Sequence, residues 1–266
     1  TLKRVNSPSD DPVGIALSMS LRRDVAANEA WASNAEDSIA WIQTTDTALA
    51  SGIEIIQRVR ELALQGGNGT LPQTARDSIA LEVQELAGSV VEIGNTTFGG
   101  RYLFGGAAYD TAPLDAAGNV TTGNVAGVRR EVAQGEVVQI NTTIDEFRDP
   151  DGAGGTPDLF ATFGALVTAL QAGDVSGAIA TLGELDTHLE NFNDLRGSGA
   201  GLQRRLEENL ARGSLKEINS RERIGQIEDV DLAEAITELK TRESGLRAAL
   251  SVGARIVPIS LVEFLR

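Results

Sequence analysis

Residues 228–266 read EDVDLAEAITELKTRESGLRAALSVGARIVPISLVEFLR, and their spacing decides how the rest of the chain is read. From Leu232 the apolar or small positions Leu232, Ile236, Leu239, Leu246, Leu250, Gly253 and Val257 alternate in steps of four and three, interrupted once by Glu243. That is a heptad seam, the pattern of a helix that lies in a bundle or coiled coil. The polar face carries Glu234, Glu238, Lys240, Arg242 and Arg247, and Glu238–Arg242 and Glu243–Arg247 can pair one turn apart in the favourable orientation. Pro258 should break or kink the helix, because its ring clashes with the preceding turn and it has no N–H. The tail beyond it, with Ile259, Leu261, Val262, Phe264 and Leu265, is too apolar to stand free in water and too short to span a bilayer. It either folds back on its own domain or waits for a partner chain.

Working outward, the chain begins with another long helical stretch. Residues 13–65 hold no proline and, beyond Gly14 at their start, a single interior glycine, Gly52, with Ile39, Ile42, Leu49, Ile53, Ile56 and Ala63 as an approximate heptad seam. Ser9, Asp10 or Asp11 can cap this helix, with Pro12 in its first turn. The run Gly66-Gly-Asn-Gly-Thr-Leu-Pro72 turns the chain, and Ile79, Val83, Leu86, Val90 and Ile93 give a second seam, so the two helices form an antiparallel hairpin. The block Phe98-Gly-Gly-Arg-Tyr-Leu-Phe-Gly-Gly106 closes it with turn glycines. No Lys and Ser/Thr follow the second glycine, as a phosphate loop requires.

Between the helical parts the character changes. Period-two stretches at 125–132 and 137–144 flank Ala133-Gln-Gly-Glu136, which reads as a hairpin turn. Helical periodicity returns with Phe163, Leu166, Val167 and Leu170, breaks at Gly173-Asp174 and resumes from Val175. The glycines between 197 and 201 are expected to bend that helix rather than end it. The fold class is therefore mainly α with a small β-containing insert. Residues 1–106 and 157–266 are expected to form a discontinuous, elongated antiparallel helical rod, and 107–156 the β-rich insert.

The bulk composition closes off several function classes. Of the 266 residues 41% are hydrophobic but only 4% aromatic, which suits thin helical bundles. A net charge of −15 speaks against nucleic acid and anionic membrane as partners. Without cysteine there are no disulfides, thiolate nucleophiles or thiolate-held metals. His188, the one histidine, sits near Glu184, Asp186 and Glu190 and reads as part of a solvated helical face. The loop 149–158 resembles a calcium loop at a glance, but its glycine stands fourth instead of sixth and no glutamate stands twelfth. No catalytic, cofactor or metal site is expected, and an enzyme is not.

The entry Arg4-Val-Asn-Ser-Pro-Ser-Asp-Asp-Pro-Val-Gly14, the stretch Gln57-Arg-Val-Arg-Glu-Leu-Ala-Leu-Gln65 and the ending 228–266 together resemble the flagellin superfamily, at both ends of the chain and around a variable middle. The entry prolines, the Tyr-Leu-Phe block at 102–104 and the ending Leu261-Val-Glu-Phe-Leu-Arg266 resemble its hook-associated, hook–filament junction branch more than filament flagellins, which stay the alternative.

The resemblance implies a structural subunit of the bacterial flagellum, exported by the flagellar secretion apparatus without a cleaved signal peptide. It implies self-association into a ring between hook-associated protein 1 and flagellin, and a cytoplasmic export chaperone for the C-terminal helix. Leu232, Ile236, Leu239, Leu246, Leu250, Val257, Phe264 and Leu265 would carry subunit and chaperone packing. Such proteins begin with an amphipathic helix that pairs with the C-terminal one, so the opening at Thr1 reads as an N-terminal truncation and the seam as only partly covered. By the same resemblance Arg58, Leu62 and Glu82 match the arginine, leucine and glutamate through which a vertebrate innate immune receptor recognises flagellins. Packing between subunits is the other reading of those three.

Overall fold

The computed structural model describes residues 11–121, 126–150 and 157–264, with side chains as far as Ala254. The candidate caps Ser9 and Asp10, Val125 and the centre of the calcium-like loop lie outside the described residues. In chain order the elements are helices α1 (Pro12–Gly66) and α2 (Gln73–Gly94), strands β1 (Thr97–Phe98), β2 (Arg101–Tyr102), β3 (Arg129–Ala133) and β4 (Glu136–Gln139), then helices α3 (Ile144–Arg148), α4 (Leu159–Ala172), α5 (Val175–Glu228) and α6 (Leu232–Phe264). Helix thus dominates, as the seams predict.

The chain divides into two compact units, Asn28–Ser214 and the pair of terminal parts 1–27 and 215–266. The sequence places its boundaries at 106/107 and 156/157. The contacts place theirs inside α1 and α5, and Leu114, Ile144 and Phe147 of the middle segment share the core of Asn28–Ser214.

That core is built from the heptad seams. Ile53, Ile56 and Val59 of α1, Ile79, Val83 and Val90 of α2, Phe163, Leu166 and Leu170 of α4 and Leu185 and Phe192 of α5 are buried together with Leu114, Ile144 and Phe147 from the middle segment. The rings of Phe104, Phe147 and Phe192 run in series, with centroids 4.8 and 4.9 Å apart. Few aromatics are present, and these three pack at tilted angles of 49° and 52° where the segment after β2, α3 and α5 meet.

The helix ends are closed by side chains that the sequence supplies locally. Buried Arg76 on α2 donates to the carbonyls of Gly66 and Asn68, collecting the orphan acceptors at the end of α1. Gln73 does the same for Leu170 and Gln171 at the end of α4, which Gly173 leaves in the left-handed conformation at φ 69°. Thr143 and Glu146 form a reciprocal capping box on α3. Asp158 caps α4 by accepting from the N–H groups of Phe160 and Ala161.

Two β-hairpins are present, the second expected from the sequence and the first not. β1 and β2 pair antiparallel through Gly99 and Gly100, at φ 57° and 78°, the two-residue turn in which both positions need positive φ. β3 and β4 pair through Gln134 and Gly135, with a bulge between Glu131 and Ala133. The second period-two stretch ends early as strand, because the capping box starts α3 at Ile144. Val132, Val138 and Ile140 of this hairpin pack on Ala35 and Ile42 of α1 and Leu206 of α5. Asn34 donates to the Glu131 carbonyl, and Arg130 pairs with Asp37 at 3.2 Å.

Three local expectations are corrected or settled. His188 is fully buried, not solvated. It follows Thr181 and Leu185 and precedes Phe192 in steps of four, three and four, all buried, so it belongs to the inward stripe of α5. Its Nε2 lies 3.4 Å from the Thr162 hydroxyl. α6 does not stop at Pro258 but continues to Phe264. An interior proline deletes one helical hydrogen bond and strains one turn, at a cost of about 3 kcal/mol, which a long helix can absorb. The glycines at 197–201 leave α5 unbroken.

Candidate assembly face

The terminal unit, residues 1–27 and 215–266, holds the face to which the sequence pointed. Asp11 caps α1 by accepting from the N–H of Gly14 at 2.8 Å. The Glu228 carboxylate, at the end of α5, accepts from Arg22 Nε and Nη2 at 3.1 and 2.7 Å and from the Ser18 hydroxyl. The hydrogen bond to that carboxylate and its charge push the Arg22 guanidinium pKa up, so the clasp is ionic across the working pH range. Leu21, Ser18 and Ser220 are buried beside it.

α6 then starts on its own signal. Asp231 accepts from the N–H groups of Ala233 and Glu234, at 2.8 and 3.3 Å, and Glu234 lies in the first turn, where the helix dipole favours an acid. Both expected ion pairs of the wet face are made, Glu238–Arg242 at 2.5 Å and Glu243–Arg247 at 3.9 Å.

The apolar face is bare. Leu232, Ile236, Leu239, Leu246 and Leu250 are each between 52 and 64% exposed. Val257, Phe264 and Leu265, expected to extend the seam, lie outside the described side chains. Val13, Leu17 and Met19 of α1 and Leu215 and Ile218 of α5 are exposed in the same unit. The unit Asn28–Ser214, more than twice as long, exposes only Leu64, Leu81, Val137 and Ile179 among its described large apolar side chains. Single exposed leucines are ordinary on a surface, whereas a row of them in heptad register is the pattern a coiled-coil seam carries. Full burial of one Leu or Ile is worth roughly 1.5–3 kcal/mol, so five such positions supply a large driving force for association.

In the other unit the structure brings together two of the three residues matched to immune recognition. Arg58 donates to Glu82 from Nε and Nη2, at 2.9 and 2.7 Å, and to Glu61 from Nη1 at 3.2 Å. The Glu82 bond and then the Glu61 bond raise the Arg58 pKa, and all three side chains are exposed. Leu62 is only 1% exposed and sits in the core, apart from that surface. The period that places Ile56, Val59 and Ala63 inward makes 62 an inward position as well.

Among the described residues there is no group of three or more His, Asp and Glu able to hold a metal, and no helix long and apolar enough to cross a membrane. Asp158, from the calcium-like loop, is committed to capping α4 and to Arg148 at 2.5 Å.

Comparison with known proteins fits this picture. Residues 1–108 match the family described as the bacterial flagellin N-terminal helical region. The chain is 25% identical over 283 residues to flagellar hook-associated protein 3 of Escherichia coli (strain K12), covering 99% of this chain and 89% of that protein. It is 27% identical over 277 residues to a flagellin of Bacillus subtilis (strain 168), again covering 99% and 89%. Among solved structures, a flagellar hook-associated protein of Vibrio parahaemolyticus superposes with a TM-score of 0.74 at 24% identity, over 83% of this chain and 100% of that one. The flagellar junction protein FlgL of Legionella pneumophila gives 0.64 at 15% identity, over 80% and 100%. At these identities the likeness to solved structures is one of fold.

Proposed function

We propose, for a chain of the flagellin superfamily that is similar along nearly its whole length to flagellar hook-associated protein 3, that it is a structural subunit at the junction between the flagellar hook and filament. The observation that carries this reading is the bare heptad seam of α6 in such a chain: a joint needs a face that is incomplete in the isolated subunit. The chain works by packing, through apolar helix faces.

Specific partners follow as part of the proposal. Copies of the chain associate laterally into a ring, with hook-associated protein 1 on the hook side and flagellin on the filament side. Before export the α6 seam is held by a cytoplasmic chaperone, since five half-exposed Leu and Ile side chains are an aggregation hazard. The protein leaves through the flagellar secretion apparatus and resides outside the cell, in the flagellum.

A filament flagellin is the second reading, supported by the length-wide similarity to the Bacillus subtilis flagellin. Electron microscopy of the full-length protein mixed with purified hooks and with flagellin separates the two. A junction subunit caps hook ends and then accepts flagellin. A filament flagellin grows into long fibres by itself when seeded. Cells that lack the protein and still carry normal filaments would overturn the junction reading.

A further inference from the structure

Glu243 stands where the heptad steps of α6 call for an apolar side chain. With Ile236, Glu243 and Leu250 as a positions and Leu232, Leu239, Leu246 and Gly253 as d positions, the seam between 232 and 253 holds one carboxylate and no cation. In the isolated chain Glu243 is 55% exposed and meets Arg247, one turn on, at 3.9 Å. A long contact between two exposed side chains contributes little, and the carboxylate relies on water. Once a second helix covers the seam that water is lost, and the charge needs a cation facing it, because an unpaired buried charge is strongly destabilising.

The borders of the seam carry the opposite sign. Of the seven e and g positions from 233 to 254, four are alanine and the other three are Lys240, Arg242 and Arg247. The acids Glu234 and Glu238 lie at f and c, away from the seam. Lys240 is exposed, and the Arg242 and Arg247 side chains are 77 and 82% exposed, so all three cations can be reached. An all-basic border stands out in a chain whose net charge is −15. In a coiled coil the e and g side chains meet those of the facing helix and set partner choice.

A second copy of α6 is a poor match in either orientation. Parallel pairing brings Arg242 against Arg247 of the copy, and antiparallel pairing sets e against e and g against g, so cation faces cation each way. No register supplies a cation to the layer of Glu243, since the seam itself has none.

We infer that the α6 seam takes a helix other than a second α6, with apolar a and d positions, Glu or Asp at e and g, and a Lys or Arg in the layer that faces Glu243. This rests on the seam being the joint, as proposed above, and adds the chemistry of what covers it. The apolar layers supply affinity, while the basic border and the one charged layer choose the partner. The charged layer also fixes register, because a slip of one heptad would bury Glu243 against apolar side chains.

The test is fluorescence anisotropy of labelled heptad-repeat peptides titrated with the full chain. One peptide has Ile at a, Leu at d, Glu at e and g, and Lys at a single a position. A second has Lys at e and g, and a third is the first with Glu at that a position. The first should bind at least about tenfold more tightly than either, with its margin over the second shrinking as salt is added. Lys240→Glu/Arg242→Glu/Arg247→Glu should invert the order of the first two, and Glu243→Lys the order of the first and third. If the triple Glu variant loses helix by circular dichroism, Lys240→Gln/Arg242→Gln/Arg247→Gln, which adds no like-charge pair, should abolish the preference between the first two. Equal affinity for the three peptides, binding to none, or variants that keep the wild-type order overturn the inference. Capping of hook ends in the electron microscope separates it from the junction reading. Capping without peptide preference removes the charge signature and leaves the junction, whereas preference without capping removes the junction and leaves the partner chemistry.

Discussion

A Cβ placed on Gly52 would stand 2.5 Å from Cε1 of Phe192, so the ring of α5 lies directly against the bare backbone of α1. Gly52 is the glycine that interrupts the seam of residues 13–65, and the contact explains why no side chain fits there. Gly52→Ala gains up to about 1 kcal/mol in helix propensity but overpacks a fully buried ring, which costs about 1–3 kcal/mol. The net effect is a loss of stability, read as a lower denaturant midpoint. Shortening the ring in Gly52→Ala/Phe192→Leu should recover part of it, as expected of two residues in contact. Additive single-mutant effects would disprove the coupling.

The fold was largely legible because its seams are long and regular, and long periodic segments outvote local accidents. Misreadings arose where a neighbour in sequence was taken for a neighbour in space. His188 looked solvated because Glu184, Asp186 and Glu190 flank it, yet a helix turns Asp186 and Glu190, two positions away, off its face, while Glu184, four away, shares that face and accepts from the Thr162 hydroxyl that His188 also meets; counting four, three, four from Thr181 to Phe192 puts the histidine inside. The boundary at 27/28 and 214/215 falls inside α1 and α5, which run through it as continuous helix. It is made by contacts distant in sequence, which local pattern does not report. Of the assembly face, Leu232 to Leu250 was legible as a seam and its ion pairs as i,i+4 spacings. Whether the seam was covered needed the neighbouring helices.

Asp158 makes part of the stability acid-labile. Burial alone would raise its pKa, but the Ala161 N–H, the Arg148 guanidinium and the Phe160 N–H outweigh that and hold the carboxyl below its ordinary 3.8. A depressed folded-state pKa means that the contribution is complete above the unfolded value and is lost as pH falls through the folded one. Asp158→Asn keeps the cap and removes the charge, so its stability deficit relative to wild type should be present at pH 7 and shrink below about pH 3. Asp158→Ala should cost about 1 kcal/mol at pH 7 through the lost cap. Denaturant melts of the three proteins at pH 7 and pH 3 check this, and a deficit that does not change with pH contradicts it.

If the Arg58 surface is read by an innate immune receptor, exposed and buried positions must behave differently. Arg58→Ala and Glu82→Ala should lower the response of receptor-expressing reporter cells with no measurable change in melting temperature, since both side chains are solvent-exposed. Leu62→Ala should act through the fold, losing about 2–5 kcal/mol because its side chain is core. A wild-type protein that evokes no response removes the idea altogether.

The seam of α6 gives the sharpest separation between fold and assembly. Leu239 and Leu246 are 58 and 62% exposed, so their replacement deletes little that the isolated chain uses. Leu239→Ser with Leu246→Ser should therefore shift the denaturant midpoint within about 0.5 kcal/mol of wild type, the usual range for surface changes. The same double change removes two anchors of an interface in which each buried leucine is worth roughly 1.5–3 kcal/mol, and so should abolish capping of hook ends in the electron microscope. Glu238→Ala, on the wet face of the same helix, breaks an exposed pair worth at most about 1 kcal/mol and should leave capping intact. If the serine variant caps hooks as well as wild type, the seam is not the joint. If it instead unfolds, the seam belongs to the fold of the subunit and its exposure has another explanation.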